Sequence, residues 1–218
     1  MIQIQPFVFN PLQENTYVLF DETKECVIID PGCYTREEQD ELSNFIQNQQ
    51  LKVIMLLNTH CHVDHVLGNA YVKEKYKTRL LIPAKEKATL LAVKAYAPSY
   101  GFYQYQETDP DGFLEEEDVI KFGHQTLRVL FVPGHAPGHV AFYHEKDKSV
   151  IAGDVLFYNS IGRTDLPGGD FDTLIESIHR KLFSLPDDVK VFPGHGPATT
   201  IGFEKRTNPF CAITNANR

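Results

Sequence analysis

The stretch His60-Cys61-His62-Val63-Asp64-His65 places three imidazoles and one carboxylate within six consecutive residues. It directly follows residues 51–58, a near-continuous apolar run of the kind found in strands buried within parallel sheets. Ligand sites of layered α/β proteins concentrate in the loops at the carboxyl ends of such strands. Neutral imidazole is the commonest protein ligand for zinc, and carboxylates complete such sites. The stretch therefore predicts a metal site at a strand end of an α/β fold.

The spacing within this cluster predicts how it divides between cations. Alternate residues of an extended or turning segment project the same way, so His60 and His62 can bind one cation together. Asp64 and His65 can then face a second cation. Cys61 lies between two co-facing histidines and should point away from them, so we interpret it as a packed side chain. The alternative interpretation is a His-rich surface loop, which would need no ligands elsewhere in the chain.

Three further strand ends each carry a residue able to bind a metal. Residues 127–135 and 189–195 share one pattern, in which a strand-like run ends at Pro, Gly allows a turn, and a histidine follows. These histidines are His135 and His195. Between them, the strand-like run 149–154 ends in Asp154. Each residue alone is typical of a turn, but together with the cluster they form a candidate ligand set.

Composition and charge exclude several classes of protein. The chain of 218 residues suits a single domain over 1–218, since no low-complexity tract or linker divides it. A net charge of −8 with dispersed Lys and Arg gives no basic patch for nucleic acid. No apolar stretch approaches the length of a membrane span, and the N-terminus lacks the features of a signal peptide. With 4 scattered cysteines and no Cys-x-x-Cys pair, we expect a cytoplasmic protein without a disulfide framework.

The N-terminal half predicts strands and helices that alternate around the cluster. Strands are expected over 2–8, 16–20 and 25–29, and a capping box at 35–38 opens a helix to about Asn48. After the cluster we expect a helix to about Glu74, a strand over 79–82 and a helix over 84–95. The aromatic residues within 96–113 follow no steady period, and a lid and packing over a core edge explain them equally well.

The C-terminal half predicts a second block of strands. Strands over 119–122, 125–132, 140–144 and 149–151 are expected to be mostly antiparallel because the turns between them are short. Asp170 caps a helix whose apolar residues recur at helical spacing through Leu182, and a last strand covers 189–192. Two sheets packed face to face with helices outside would bring the strand ends along one edge.

These motifs resemble those of the metallo-β-lactamase superfamily. The motifs that carry the resemblance are Asp30-Pro31-Gly32, Thr59 through His65, Pro133-Gly134-His135, Gly153-Asp154 and Pro193-Gly194-His195. More narrowly, residues 10–17, 153–157 and 207–210 are similar to those of short glyoxalase II-like (hydroxyacylglutathione hydrolase-like) hydrolases. The resemblance implies an α/β fold that is a four-layer αβ/βα sandwich of two mixed sheets with helices on the outer faces.

The resemblance also implies a site for two divalent metal ions. One ion would be bound by His60, His62 and His135 and the other by Asp64, His65 and His195, with Asp154 bridging both. Asp30 would orient a ligand histidine from outside the ligand set, although Asp-Pro-Gly is also an ordinary turn.

Four further histidines are not expected to be ligands. His139 resembles a family feature that does not bind metal, and we expect a hydrogen-bonded structural role for it. His124, His144 and His179 match no motif and are expected at the surface.

Such a site would perform hydrolysis. Two adjacent cations lower the pKa of a water between them from about 15.7 toward about 7, and the resulting hydroxide attacks a carbonyl carbon. Asp64 would both bind metal and orient this nucleophile. Zinc suits these ligands, and iron or manganese fits them as well. The resemblance implies that the small-molecule substrate is a hydroxyacyl thioester.

The stretch Gly162-Arg163-Thr164-Asp165 keeps other functions open. Similar stretches occur in short glyoxalase II-like proteins and in persulfide dioxygenases, which use one iron. Arg163 can bind a substrate carboxylate in a forked pair or can hold Asp165 within the loop, and we favour the structural role. A mononuclear iron persulfide dioxygenase and a non-enzymatic metal-binding sensor or scaffold are therefore the alternatives to a thioesterase. The sequence does not specify the oligomeric state.

Overall fold

The computed structural model describes residues 1–213. The chain divides into two compact units, the first formed by residues 1–114 and 120–126 and the second by residues 115–119 and 127 onward. Within the described residues, no helix is both long and apolar enough to cross a membrane.

The first unit contains a six-stranded mixed sheet. Its strands lie side by side in chain order: β1 (Gln3–Phe9), β2 (Glu14–Phe20), β3 (Glu25–Ile29), β4 (Lys52–Leu57), β5 (Arg79–Pro83) and β6 (Gly112–Leu114). β1 to β3 are antiparallel, whereas β3 to β6 are parallel. Ile29 at the end of β3 pairs with Leu57 at the end of β4. The residues that follow these two strands therefore emerge at the same edge of the sheet.

Four α-helices accompany this sheet. They are α1 (Arg36–Asn48), α2 (Val63–Val66), α3 (Asn69–Tyr76) and α4 (Lys87–Tyr96), with 3₁₀ turns at Ala84–Glu86 and Ala97–Tyr100. The predicted capping box of α1 is confirmed, because Thr35 and Glu38 each bond the other's backbone N–H. The prediction of a single helix after the cluster is wrong. The helical segment is divided at Gly68, whose N–H donates to the Pro31 carbonyl and whose position leaves no room for a Cβ beside the Cys33 thiol.

The second sheet is also mixed. Its strands and those of a separate two-stranded ribbon are β7 (Val119–Phe122), β8 (Gln125–Phe131), β9 (Val140–His144), β10 (Ser149–Gly153), β11 (Leu156–Phe157), β12 (Ser160–Ile161), β13 (Lys190–Pro193) and β14 (Thr199–Thr200). The sheet order is β14-β13-β10-β9-β8-β7, and β11 pairs with β12. β10 is antiparallel to β9 and parallel to β13. The helices are α5 (Phe171–Ser177), continued by a π-turn at Ile178–Leu182, and α6 (Ile201–Thr207).

Each unit buries a hydrophobic core of its own. In the first unit, Val18, Ile28, Leu56 and Leu80 contribute from successive strands, and Leu42 from α1. In the second unit, residues of β9, β10 and β13 pack against the buried face of α5, which includes Leu174, and against the π-turn. Two mixed sheets with accompanying helices confirm the predicted α/β class.

Candidate metal centre

The cluster at residues 60–65 lies in the first unit between the end of β4 and the start of α2. His62 is the N-cap of α2, and Asp64 and His65 lie within that helix. The His60 and His62 rings contact edge to face with centroids 4.8 Å apart, and the His60 and His65 centroids are 4.2 Å apart. Nε2 of His65 lies 3.8 Å from Oδ2 of Asp64. The structure thus brings these four predicted residues together within the unit.

Asp30 follows β3 and bonds to the residues that follow β4. Its Oδ2 lies 3.1 Å from Nδ1 of His65 and accepts a 2.6 Å hydrogen bond from the Thr59 hydroxyl. That bond uses the only proton of the hydroxyl, so the 3.0 Å contact between Thr59 Oγ1 and His60 Nδ1 must be donated by the imidazole. Both histidines are therefore protonated at Nδ1, and Nε2 is the nitrogen with which each would bind a cation.

Both carboxylate oxygens of Asp30 accept hydrogen bonds from protein groups. Asp30, His60 and His65 each have a potential ligand atom within 4.8 Å of the others. However, Oδ1 of Asp30 accepts a 2.7 Å bond from the Thr59 backbone N–H, and Oδ2 bonds the Thr59 hydroxyl and His65. The backbone of Asp30 has a φ of 50°, in the left-handed region that Asp tolerates better than most residues. Asp30 can thus orient the histidines without binding metal itself.

Glu14 is a buried carboxyl group beside this network to which we had assigned no role from the sequence. Its Oε1 lies 3.9 Å from Nδ1 of His65, and burial raises its pKa well above the ordinary value although His65 opposes the shift. Thr16 Oγ1 donates to the Asp30 carbonyl at 2.8 Å, accepts from the Gly32 N–H, and lies 2.9 Å from Glu14 Oε2. Thr16 therefore connects Glu14 to the backbone segment that carries Asp30 and Gly32.

In the second unit, neighbouring parallel strands deliver Asp154 and His195 to one edge. Gly153 at the end of β10 pairs with Pro193 at the end of β13. Oδ2 of Asp154 lies 3.5 Å from Nε2 of His195 and also 3.5 Å from Nε2 of His135. One carboxylate oxygen is therefore equally close to the same ring nitrogen of two histidines. Such an arrangement suits a carboxylate shared between two cations.

A backbone carbonyl, rather than a side chain, orients His135. Its Nδ1 donates a 2.7 Å hydrogen bond to the carbonyl oxygen of Arg163, which leaves Nε2 as the nitrogen that would bind a cation. The residue before Arg163 must be glycine, because a Cβ at Gly162 would overlap the Asp154 carbonyl oxygen. The predicted residues of this unit, His135, Asp154 and His195, thus lie together, and a main-chain carbonyl orients the ring of His135.

His139 shows the opposite tautomer. The backbone N–H of Asp154 donates to its Nε2 at 3.0 Å, and the ring is fully buried. Nε2, which is left for a cation in His135, accepts a hydrogen bond in His139, as expected for a structural histidine. The expectation that His144 lies at the surface is wrong. It is 2% exposed, its Nδ1 accepts the Asp147 N–H, and burial lowers its pKa.

The side chain of Arg163 forms a forked ion pair with Asp165. The two N–O distances are 2.7 and 2.8 Å, and these bonds lower the pKa of Asp165 to about 2. This is the structural role that we favoured from the sequence. A role for Arg163 in substrate binding stays a prediction.

Cys61 and the aromatic segment 96–113 both contribute to the core of the first unit. Cys61 is fully buried and burial raises its pKa, as the packed interpretation requires. Within the segment, Phe102 is buried and packs edge to face on Tyr34 with centroids 5.1 Å apart, whereas Tyr103 is 79% exposed. Packing over the core therefore accounts for part of the segment.

The donor set in each unit fits a divalent cation. The first offers three imidazoles and a carboxylate, and the second two imidazoles and a carboxylate. In His60, His65 and His135 an oxygen acceptor at Nδ1 fixes the tautomer that coordination through Nε2 requires. Nitrogen and oxygen donors of this kind suit zinc, iron or manganese.

Comparison with known proteins agrees with this chemistry. The family model described as the metallo-β-lactamase superfamily matches residues 9–195. The hydroxyacylglutathione hydrolase GloC of Haemophilus influenzae is 38% identical over 200 residues, which cover 91% of this chain and 92% of GloC. The human mitochondrial persulfide dioxygenase ETHE1 is 32% identical over 199 residues, which cover 89% of this chain and 70% of ETHE1.

Solved structures with the same fold include two close in length. The BLEG-1 B3 metallo-β-lactamase is 36% identical with a TM-score of 0.89, over 97% of this chain and 100% of that one. TTHA1623, solved in a di-iron-bound form, is 37% identical with a TM-score of 0.84, over 94% and 99% of the two chains. The protein therefore has the metallo-β-lactamase fold and belongs to the metallo-β-lactamase superfamily of metal-binding enzymes.

Proposed function

We propose that this enzyme is a metal-dependent hydrolase that cleaves acyl thioesters, with a hydroxyacyl thiol ester as its substrate. The observation that carries the proposal is the position of Asp154 Oδ2, 3.5 Å from Nε2 of both His135 and His195, which supports a carboxylate that would serve two ions. The similarity to hydroxyacylglutathione hydrolase GloC over most of both chains supports the thioester substrate.

In this proposal seven residues bind two metal ions. One ion would be held by His60, His62 and His135 and the other by Asp64, His65 and His195, and Asp154 would contribute to both. When bound, two such ions lower the pKa of a shared water toward about 7 and polarise the substrate carbonyl. Zinc is our first choice, and the di-iron form of TTHA1623 supports iron as an alternative.

The protein's own groups hold the ligands and direct the attack. Asp64 Oδ2 is near enough to His65 Nε2, at 3.8 Å, to share a cation with it, and its other oxygen is the acceptor that would orient the attacking water. Asp30 and Thr59 keep His60 and His65 protonated at Nδ1. Asp64 is therefore the catalytic residue of the proposal, and Asp30 and Thr59 are positioning residues.

One experiment tests the reaction. Protein purified without added metal is analysed for metal identity and number per chain, then assayed with S-lactoylglutathione. We expect two ions per chain and thioester cleavage that a chelator abolishes. A His124→Ala variant is the matched control, since this histidine is exposed and outside both ligand groups. A protein carrying its metal that leaves acyl thioesters intact would refute the proposal.

Persulfide dioxygenase activity is the second candidate. The observation in its favour is the 32% identity to human ETHE1, although the match covers only 70% of that protein. A single iron per chain with oxygen uptake on glutathione persulfide would support this function. Two ions without oxygen uptake would exclude it. A sensor or scaffold function instead predicts bound metal without turnover of either substrate.

We also propose that the enzyme works in the cytoplasm. Cys26, Cys33, Cys61 and Cys211 are all buried free thiols, which suits a reducing compartment. The net charge of −8 supports a small-molecule substrate rather than nucleic acid.

A further inference from the structure

Two buried polar residues near the end of α6 have no place among the proposed ligands. Glu204 lies within the helix and is 0% exposed, and Asn208 is its C-cap and is 1% exposed. Asn208 belongs to the stretch Thr207-Asn208-Pro209-Phe210 that contributes to the family resemblance. Buried polar groups of this kind are costly unless they are fully hydrogen-bonded, so their partners indicate what they support.

Two of those partners, Asn159 and Ser160, lie in the turn between β11 and β12. Oε2 of Glu204 accepts a 2.7 Å bond from the Asn208 amide and a 3.1 Å bond from the backbone N–H of Asn159. The Asn208 amide also donates to the Ser160 carbonyl at 3.0 Å. Oε1 of Glu204 accepts from the Thr199 hydroxyl. Asn159 has a φ of 53°, so these bonds hold the turn in a conformation that few residues adopt.

The β11–β12 ribbon connects this turn to the ligands of the second unit. β11 begins two residues after Asp154, and β12 ends two residues before Arg163. Leu156 pairs with Ile161, and the Gly162 N–H donates to the Val155 carbonyl, so the two ends of the ribbon are held together. The ribbon therefore leads directly to the Arg163 carbonyl, which accepts the Nδ1 proton of His135.

We infer that Glu204 and Asn208 are positioning residues for the metal ligands of the second unit. Their hydrogen bonds hold the β11–β12 turn, and the turn holds the ribbon. The ribbon in turn keeps the Arg163 carbonyl oxygen within hydrogen-bonding distance of His135 Nδ1. The inference rests on the proposed metal centre and is independent of the substrate. Groups that orient a ligand histidine typically change metal affinity 10- to 100-fold when removed.

Variants of α6 separate positioning from simple stabilisation. The probe is Co²⁺ added to metal-free protein, with affinity and visible absorption spectrum as readouts. We expect Glu204→Ala and Asn208→Ala to weaken binding about tenfold or more and to alter the spectrum. Glu204→Gln should behave as wild type, because its amide oxygen can accept from Asn159 and Asn208 while its NH₂ donates to Thr199.

The matched control is Thr207→Ala, which removes a hydrogen bond to the Phe203 carbonyl on the exposed side of α6 without touching the turn. Thermal unfolding of each metal-free variant is measured in parallel. If the two alanine variants lower the unfolding temperature but retain wild-type cobalt affinity and spectrum, the inference is wrong.

A measurement on the wild-type protein covers the case in which the alanine variants do not fold. Coupling between two sites is reciprocal, so Zn²⁺ binding should slow hydrogen exchange at the Asn159 amide. The Lys148 amide, which donates to Glu145 in the β9–β10 turn, should be unaffected. Unchanged exchange at Asn159 overturns the inference. Wild-type protein that binds no metal instead refutes the proposed function, and metal coupling without thioesterase activity refutes only the proposed substrate.

Discussion

The two ligand groups of this protein are supported in different ways. In the first unit the proposed ligands are adjacent in sequence, and the side chains of Thr59 and Asp30 orient His60 and His65. In the second unit the proposed ligands follow three separate strands; strand register brings Asp154 and His195 to one edge, and the Arg163 carbonyl orients His135. The first group therefore depends on the identity of its neighbours and the second on backbone position. Substitutions should affect the two groups differently.

The largest effect is expected from Asp154→Ala, which tests whether both groups depend on one carboxylate. Loss of the oxygen that lies 3.5 Å from two histidines should reduce metal content at both positions. Metal contributes several kcal/mol of transition-state stabilisation, so activity should fall about 10³-fold or more. Metal analysis and steady-state kinetics measure the change. Retention of two ions would show that Asp154 does not bridge.

Gly162→Ala should be the next most severe change and tests the backbone dependence of the second group. The new Cβ would overlap the Asp154 carbonyl oxygen and lie 3.1 Å from Nδ1 of His135. Overpacking of this kind costs about 1–3 kcal/mol, measured by denaturant unfolding, and metal affinity should fall with it. Gly101→Ala is the control, since its φ is 89° but nothing lies within 4 Å of the added methyl group. Gly101→Ala carries backbone strain alone and should leave metal affinity unchanged, so an equal loss of affinity in the two variants would argue against the close approach.

Thr59→Val tests the side-chain dependence of the first group. The change keeps the shape but removes the hydroxyl between His60 Nδ1 and Asp30. Metal affinity should fall about tenfold because the His60 tautomer is no longer fixed. Thr59→Ser restores the hydroxyl and should recover most of the affinity by isothermal titration. A valine variant with wild-type affinity would mean that Asp30 orients only His65.

Arg163→Ala should have the smallest effect on metal binding. The carbonyl that orients His135 remains, and only the exposed pair with Asp165 is lost, so affinity should stay within about threefold of wild type. This outcome would sharpen the contrast with Thr59. A rise in KM without loss of metal would instead assign Arg163 to the substrate.

The pair with Asp165 also has a defined pH range. The pKa of Asp165 is lowered to about 2, so any stability from the pair is present above the ordinary value near 3.9 and is lost as pH falls toward 2. The pair therefore persists throughout the neutral range.

The contrast between the two groups also explains what the sequence could predict. The cluster at 60–65 is visible because its ligands are adjacent, and His135, Asp154 and His195 are visible because each follows a recognisable strand. The supporting role of Thr59 was missed, although the residue adjoins the cluster, because it depends on Asp30 being beside it across β3 and β4. The role of the Arg163 carbonyl has no signature in residue type at all.

Errors in the secondary structure have similar causes. β6 was missed because its three residues, Gly112–Leu114, form a strand only by pairing with β5, where Phe113 lies opposite Ile82. The helix after the cluster was expected to continue because nothing in its periodicity reveals that the Gly68 N–H bonds the Pro31 carbonyl. Long-range contacts decide both cases.

The parallel pairing of β10 with β13 has a consequence for biosynthesis. Ser149 pairs with Lys190 in their register. β10 cannot form this pairing until residues 154–189 and β13 have been synthesised. Synthesis proceeds from the N-terminus, so His60 to His65 leave the ribosome well before β13 exists. Non-local parallel pairing is also slow to form. We therefore expect the nascent chain to complete the proposed metal centre only after β13 has been made.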